Sequence, residues 1–260
     1  METLARAAVE GFRSLCLPAD GGPVEEVEGA LCWHSASSVP VFNGACLLLE
    51  RFINHRTLQA EDNYVHSLGR GHSVITLDAL APRAGPLLAG LGYVEYDSMP
   101  GMWLEGPPYE WESAGTDKSI TTAQIHTAKE LAAFRAILVH AFHLPASEVD
   151  LILNNTALDM PHVKHYLARW EGVPVGTLTL VLCEAEGVAG VWNVGTITAY
   201  HRLGVATRLM RHALAEAHAE GYEASMLLAS AEGQPLYARL GYVTLSTVRV
   251  FVPSGVRGKG

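Results

Sequence analysis

Long hydrophobic runs are missing from this chain. No stretch of about 18 or more uninterrupted apolar residues occurs, so no membrane span is expected. The strongest candidate, Val39 to Leu49, is short and holds Asn43 and Gly44. The beginning carries Glu2 and Glu10 rather than a basic segment followed by an apolar block, and does not read as a signal peptide. Cysteine is sparse: Cys16, Cys32, Cys46 and Cys183 stand far apart and form no C-x-x-C pair. That spacing speaks against zinc ribbons and disulfide frameworks and fits a reducing cytoplasm, so a cytoplasmic location is expected. Dense basic stretches are absent apart from the short tail Arg257-Gly-Lys259, and the formal charge is -9. An acidic chain repels a phosphate backbone, so no nucleic-acid partner is expected. The same charge steers cationic or amine-bearing substrates, although it also simply keeps a protein in solution.

Several catalytic signatures are missing too. There is no G-x-S-x-G elbow, no G-x-x-x-x-G-K-[S/T] loop and no H-E-x-x-H, so serine-hydrolase, P-loop and zinc-protease readings have no starting point. His140-x-x-His143 and His162-x-x-His165 are spaced for one helical face or a loose pair, but neither has a Glu or Cys framework beside it; no metal is assigned.

What is present is ample core material. Of 260 residues, 49% are hydrophobic and 17% charged, which excludes disorder of the whole chain and leaves room for one large domain or two smaller ones. A polar stretch, Gly106-Pro-Pro-Tyr109 and then Glu112 to Lys118, reads as a linker. The blocks on either side end alike. Ala84-Gly-Pro-Leu-Leu-Ala-Gly-Leu-Gly-Tyr-Val94 and Gly233-Gln-Pro-Leu-Tyr-Ala-Arg-Leu-Gly-Tyr-Val243 share Pro, Leu, Ala and the closing Leu-Gly-Tyr-Val in one register. Each then runs into an apolar stretch, Met99 to Leu104 and Thr247 to Val252. This is the pattern of a tandem duplication, with domains expected at about 1–110 and 117–255.

In the second block the periodicity predicts helices over Lys129 to Phe142 and from near Ser147. Strands follow over His162 to Trp170, Val173 to Leu182 and Val188 to Ile197. From Gly204 the period turns helical, with Val205, Ala206, Leu209, Met210, Ala213, Leu214 and Ala217 on one face and Gly221 as the stop. A strand at Met226 to Ala229, a helix at Pro235 to Leu240 and a strand at Tyr242 to Val252 complete the series.

The junction Val194-Gly-Thr-Ile-Thr-Ala-Tyr-His-Arg-Leu-Gly-Val-Ala-Thr207 carries the chemistry. A strand enters a loop that opens an amphipathic helix, so backbone N–H groups gather at the positive helix end, a geometry that suits a pyrophosphate. Gly204 admits the phosphates, Ala206 keeps the next turn near the sheet, and Arg202 adds a cation. By itself such a junction is shared with many ordinary α/β turns.

With its surroundings, the stretch resembles the acyl-CoA-binding motif of the GCN5-related N-acetyltransferase superfamily, Arg/Gln-x-x-Gly-x-Gly/Ala. The passage Pro235-Leu-Tyr-Ala-Arg-Leu-Gly-Tyr-Val243 is similar to that family's closing helix and strand. The resemblance covers about residues 118 to 253 and departs from the pattern at its leading position, where His201 stands in place of Arg or Gln. It implies an α/β chain of two acetyltransferase-like domains, each a mostly antiparallel mixed sheet flanked by helices, with a degenerate first domain.

It further implies acetyl-CoA as co-substrate, pantetheine along Val194, Gly195 and Thr196, and pyrophosphate on the amides of Arg202, Leu203, Gly204, Val205, Ala206 and Thr207. On the same ground Tyr237 would protonate the departing thiolate, and Gly195 would be the site of the family's strand bulge. A general base is not obvious; Glu232, Ser230, Asn193 and His201 are candidates, Glu232 first. The implied reaction is direct attack by an amine of a small molecule or peptide in a ternary complex. A homodimer stays open. In the first block Leu88 occupies the register of Tyr237 and Arg51 to Ala60 has no glycine loop, so that block is expected to shape a cleft or support its neighbour. Trp33, His34, Tyr64 and His66 are candidates to line such a cleft, although they read more simply as ordinary surface and core residues. The alternatives are a catalytically silent acyl-CoA sensor and an α/β nucleotide binder unrelated to CoA.

Overall fold

The alternation of buried and exposed residues in the strands, and the broad apolar stripes of the helices, require a sheet covered on both faces. The structure, a computed structural model, describes residues 2–22, 24–27, 29–47, 49–67, 69–106 and 119–255. The linker reading at 107–118 and the basic tail lie outside the described residues.

The first half contains α1 (Glu2–Cys16), β1 (Glu25–Val27), β2 (Ala30–Trp33), β3 (Gly44–Leu47), α2 (His55–Ser67), β4 (Ser73–Leu77), α3 (Ala81–Gly90) and β5 (Tyr93–Glu105). The second contains β6 (Ile120–Gln124), α4 (Ala128–Phe142), α5 (Ala146–Ile152), β7 (Val163–Trp170), β8 (Val173–Cys183), β9 (Val188–Thr196), α6 (Val205–Ala219), β10 (Ala224–Leu228), α7 (Gln234–Arg239) and β11 (Val243–Pro253). The mixed sheet flanked by helices is as expected, and the elements predicted in the second half fall within two residues of their expected ends; β6, at the edge of the sheet, was not among them. The start of β10, two residues early, is among the largest differences.

Among the described residues eleven strands lie in one sheet, in the order β1-β2-β3-β4-β11-β5-β10-β9-β8-β7-β6. Each half orders its strands alike, and each half's last strand lies in the other's part of the sheet: β11 pairs with β4, and β5 pairs with β10. The two exchanged strands then pair with each other, antiparallel, at the centre. Only β3–β4 and β9–β10 pair in parallel, at equivalent places in the two halves.

One face of the sheet is covered by α1, α4 and α5, the other by α2, α3, α6 and α7. Strand β8 is buried without interruption from Val175 to Cys183 because helices cover both its sides: Leu178 and Leu180 pack with α6, while Val181 and Cys183 pack with α1. The start of α4 is set by Thr127, whose hydroxyl oxygen accepts from the Glu130 amide. Glu130 in turn accepts from the His126 amide and from Arg169. α1 crosses from the first half onto the second half's strands. Gly11 makes this possible: a Cβ there would stand 2.1 Å from the ring of Trp192 on β9.

Candidate active site

β9 creates an opening by parting from its parallel neighbour. Its pairing with β10 runs from Val188↔Ala224 to Val191↔Leu227 and then stops, whereas its pairing with β8 continues to Thr196↔Gly176. Residues 192–196 are thus left with one edge that no strand covers. The parting coincides with a bulge. Thr177 faces Gly195 and Thr179 faces Trp192, so Asn193 and Val194 together oppose Leu178.

Asn193 sits at φ +54°, a left-handed conformation that asparagine tolerates better than most residues. Its amide donates to Thr179 Oγ1 at 3.1 Å, and its carbonyl accepts from the Thr177 hydroxyl at 2.9 Å. The bulge expected at Gly195 therefore lies one to two residues earlier, where a side chain can anchor it. Gly195 serves packing instead. A Cβ there would meet Ala141 Cβ at 3.0 Å and the Phe142 ring at 3.2 Å, so its absence lets the last turn of α4 close over the strand.

After β9 a short 3-10 turn, Thr198–Tyr200, leads to two left-handed residues, Arg202 at φ +62° and Gly204 at φ +84°. Gly204 is the N-cap of α6 and provides no side-chain cap. The first N–H groups of the helix thus gain no hydrogen bond from the capping position and sit at its positive end, where an anion is favoured. Ala206 does not hold the helix to the sheet as expected; it faces the cleft. Val205 takes that place, and Gly176 on β8 makes room for it, since a Cβ at 176 would stand 2.6 Å from Val205 Cγ1. Nothing in the local motif pointed to a glycine some thirty residues upstream.

The two halves differ most at this junction. In the first half the helix α2 is capped: the Asn54 side chain accepts from the Thr57 amide at 3.1 Å. The Phe52 ring fills the space over Gly29, within 2.3 Å of where a Cβ would be. Leu88, in the register of Tyr237, is buried in the core.

In the second half a cleft of about 450 Å³ opens beside α6. Of the residues singled out from sequence, Val194, Thr196, Arg202, Gly204, Val205, Ala206, Thr207, Glu232 and Tyr237 line it together. Gly195 does not, and Leu203 is solvent-exposed outside the lining. Tyr200, Leu236 and Arg239 join the lining without having been foreseen. Leu236 and Arg239 flank Tyr237 on α7, a signal that the helical spacing could have supplied.

Tyr237 is largely buried, edge-on to Tyr242 at 6.1 Å, and burial pushes its phenol up to about 12. Of the candidate bases, Glu232, Ser230 and His201 line the cleft. Ser230 Oγ accepts from the Gly233 amide, and the His201 ring nitrogen Nε2 lies 2.9 Å from the Thr196 carbonyl. Asn193 is committed to its bulge. The histidine pairs do not converge: His140 meets Thr198, His162 meets Ser14, and His165 is buried against Thr179.

Parted parallel strands thus lie beside a glycine-opened helix. Residues 131–242 match the acetyltransferase (GNAT) family model. The fold as a whole is shared with a GCN5-related N-acetyltransferase from Kribbella flavida, at 20% identity and a TM-score of 0.72 over 97% of this chain and 96% of that one. A GCN5-related N-acetyltransferase from Sphaerobacter thermophilus is similar at 15% identity and a TM-score of 0.62, covering 89% and 82% of the two chains. A functionally unknown conserved protein from Staphylococcus epidermidis is similar at 9% identity and a TM-score of 0.64, over 90% and 95%. No curated protein matches the sequence. Among the described residues, no helix is long and apolar enough to cross a membrane, and the four cysteines are free and buried.

Proposed function

We propose that the chain moves an acetyl group from acetyl-CoA to a primary amine of a small molecule or peptide, by direct attack with both reactants bound. Bound acetyl-CoA supplies an activated thioester. Its fit is supported by the uncapped N-terminus at Gly204, a cradle that the capped helix of the first half lacks. The amides of Arg202 to Thr207 hold the pyrophosphate, helped by the cations of Arg202 and Arg239. The open edge at Val194 to Thr196 binds the pantetheine arm by main-chain hydrogen bonds. Tyr237 keeps its proton at neutral pH and delivers it to the departing sulfur, help worth about 10²–10⁴ in rate. Glu232 takes a proton from an amine that arrives charged. Holding both reactants in one cleft removes much of the entropic barrier.

On this reading residues 117–255 form the catalytic half and 1–110 a degenerate copy that completes its sheet. The observation that carries the proposal is the meeting of strand edge, helix N-terminus and Tyr237 on one cleft. The test is release of free thiol from acetyl-CoA across polyamines, aminoglycosides, amino acids and peptide N-termini. Thiol release that depends on one amine class and falls by 10²-fold or more in Tyr237→Phe supports the proposal. Tight CoA binding with no release for any amine would refute catalysis and leave a sensor.

A further inference from the structure

The first half, which the proposed reaction leaves without chemistry, gathers another set of groups at the far end of α2. Asp62 and His66 lie one turn apart on that helix, and His72 immediately precedes β4. A ligand atom from each lies within 4.8 Å of those of the other two; among the described residues no other group of three or more His, Cys, Asp or Glu converges in this way. His66 Nδ1 is 3.0 Å from Asp62 Oδ1, and the rings of His66 and His72 meet edge to face with centroids 4.7 Å apart. Tyr93, at the start of β5, donates its hydroxyl proton to Asp62 Oδ1 at 2.8 Å and stands 3.0 Å from His72 Nε2.

Counting protons shows what this cluster lacks. His72 Nδ1 lies 3.1 Å from the Arg70 carbonyl, which can only accept, so Nδ1 carries the ring hydrogen and Nε2 holds a lone pair. That lone pair faces the Tyr93 oxygen, whose single proton goes to Asp62. The imidazole Nε2 is therefore left without a hydrogen to accept, while Asp62 Oδ1 also faces His66 Nδ1 at 3.0 Å, a nitrogen that lies 2.9 Å from the Asp62 carbonyl as well. A backbone carbonyl that fixes one ring nitrogen and frees the other is also the usual outer partner of a metal-binding histidine.

We propose that Asp62, His66 and His72 bind a divalent transition ion of the zinc type, with Tyr93 positioning the carboxylate. Two imidazoles and one carboxylate are a zinc ligand set, whereas magnesium and calcium favour all-oxygen sites. Zinc-to-ligand distances of about 2.0–2.2 Å require the three atoms to draw in by under about 1 Å. His66 is the group free to move, since its side chain is 55% exposed. That exposure also gives the ion its entry path and leaves water in the remaining position. The ion fastens the end of α2 to the loop before β4 and the start of β5, the strand whose far end pairs with β10 in the other half. The site is independent of acetyl transfer and stands whether or not that reading does.

The test titrates zinc chloride into the full chain after removal of metal by chelation, followed by calorimetry. One ion per chain, bound at micromolar or lower Kd, is expected. His66→Ala changes an exposed side chain and keeps the fold by circular dichroism, and it lowers the affinity at least tenfold. Asp62→Asn does the same, while His140→Ala, a surface histidine elsewhere, changes nothing. Cobalt(II) in place of zinc gives a visible absorption band that disappears in His66→Ala. Absence of stoichiometric binding by the wild type, or unchanged affinity in both His66→Ala and Asp62→Asn, overturns the proposal.

Discussion

His165 on β7 makes acid the condition under which this fold is weakest. The ring is 3% exposed, edge-on to Phe134 at 5.2 Å, with Nδ1 2.9 Å from Thr179 Oγ1. The same Thr179 oxygen accepts from the Asn193 amide that anchors the bulge of β9. Burial pushes the ring's pKa down to about 4, from the ordinary value near 6.5. Between these two values the unfolded chain takes up a proton that the folded chain refuses. Stability from this group is therefore complete above about pH 6.5 and falls with acid, by roughly 1.4 kcal/mol per pH unit and about 3 kcal/mol in all by pH 4. Proteins of this kind have only about 5–15 kcal/mol in total. His165→Asn keeps a hydrogen-bonding partner for Thr179 and cannot gain a proton. Urea unfolding of both proteins at pH 7 and pH 4.5 isolates the contribution from that of the carboxylates, which titrate in both. The wild type is expected to lose about 2–3 kcal/mol more than the variant over that interval. Equal losses, or a ring pKa near 6.5 in an NMR titration, would refute the reasoning.

Four further outcomes are expected. Gly204→Glu sets a carboxylate at the phosphate end of α6, on a backbone at φ +84° that strains any side chain, and abolishes CoA binding in calorimetry; retained binding would mean the phosphate loop lies elsewhere. Because burial holds Tyr237 near 12, its proton is present throughout the working range, so kcat against pH should show no fall due to this group below about pH 11; a limb near pH 10 that vanishes in Tyr237→Phe would contradict this. Gly176→Ala drives a methyl against Val205 and lifts the start of α6, costing about 1–3 kcal/mol, read as a lowered urea midpoint with weakened CoA affinity. A fragment of residues 117–255 lacks β5 beside β10 and is expected to give no cooperative unfolding transition, while adding residues 1–110 in trans restores one.

Much of the second half was legible because its signals are local. Apolar period gave α6, Gly221 its stop, and the glycines the turns between strands, so the series of elements could be read in order. The cleft residues that were foreseen sit on that contiguous run or on the Pro235 to Val243 passage. What escaped depends on contacts between distant parts of the chain. The bulge falls at Asn193 because Thr177 and Thr179, on the neighbouring strand, hold the asparagine, and no reading of Gly195 alone reveals that. Gly176 matters only once α6 lies over β8. The cluster at Asp62 needs β5 to bring Tyr93 beside α2. The single sheet was out of reach for the same reason: two similar blocks predict two sheets as readily as one, and only the pairing of β11 with β4 and of β5 with β10 distinguishes them.

On the function proposed above, that pairing explains how a half without acyl-transfer chemistry can persist. Met102 and Leu104 of β5 lie in the same core cluster as Leu178, Leu209 and Tyr237, so the first block builds part of the floor under the proposed active site. In return Val248 and Val250 of β11 pack with Ile75 and Leu77 of the first block. Burial of such side chains is worth roughly 1.5–3 kcal/mol each, so neither block can discard the other's strand without exposing several of its own core residues. The phosphate loop is under no such constraint. A capped helix at Asn54 and a ring at Phe52 close the first junction without touching the exchanged strands. On our reading of a duplicated chain, binding chemistry was therefore free to decay in one copy, while the strand exchange kept that copy's fold in place.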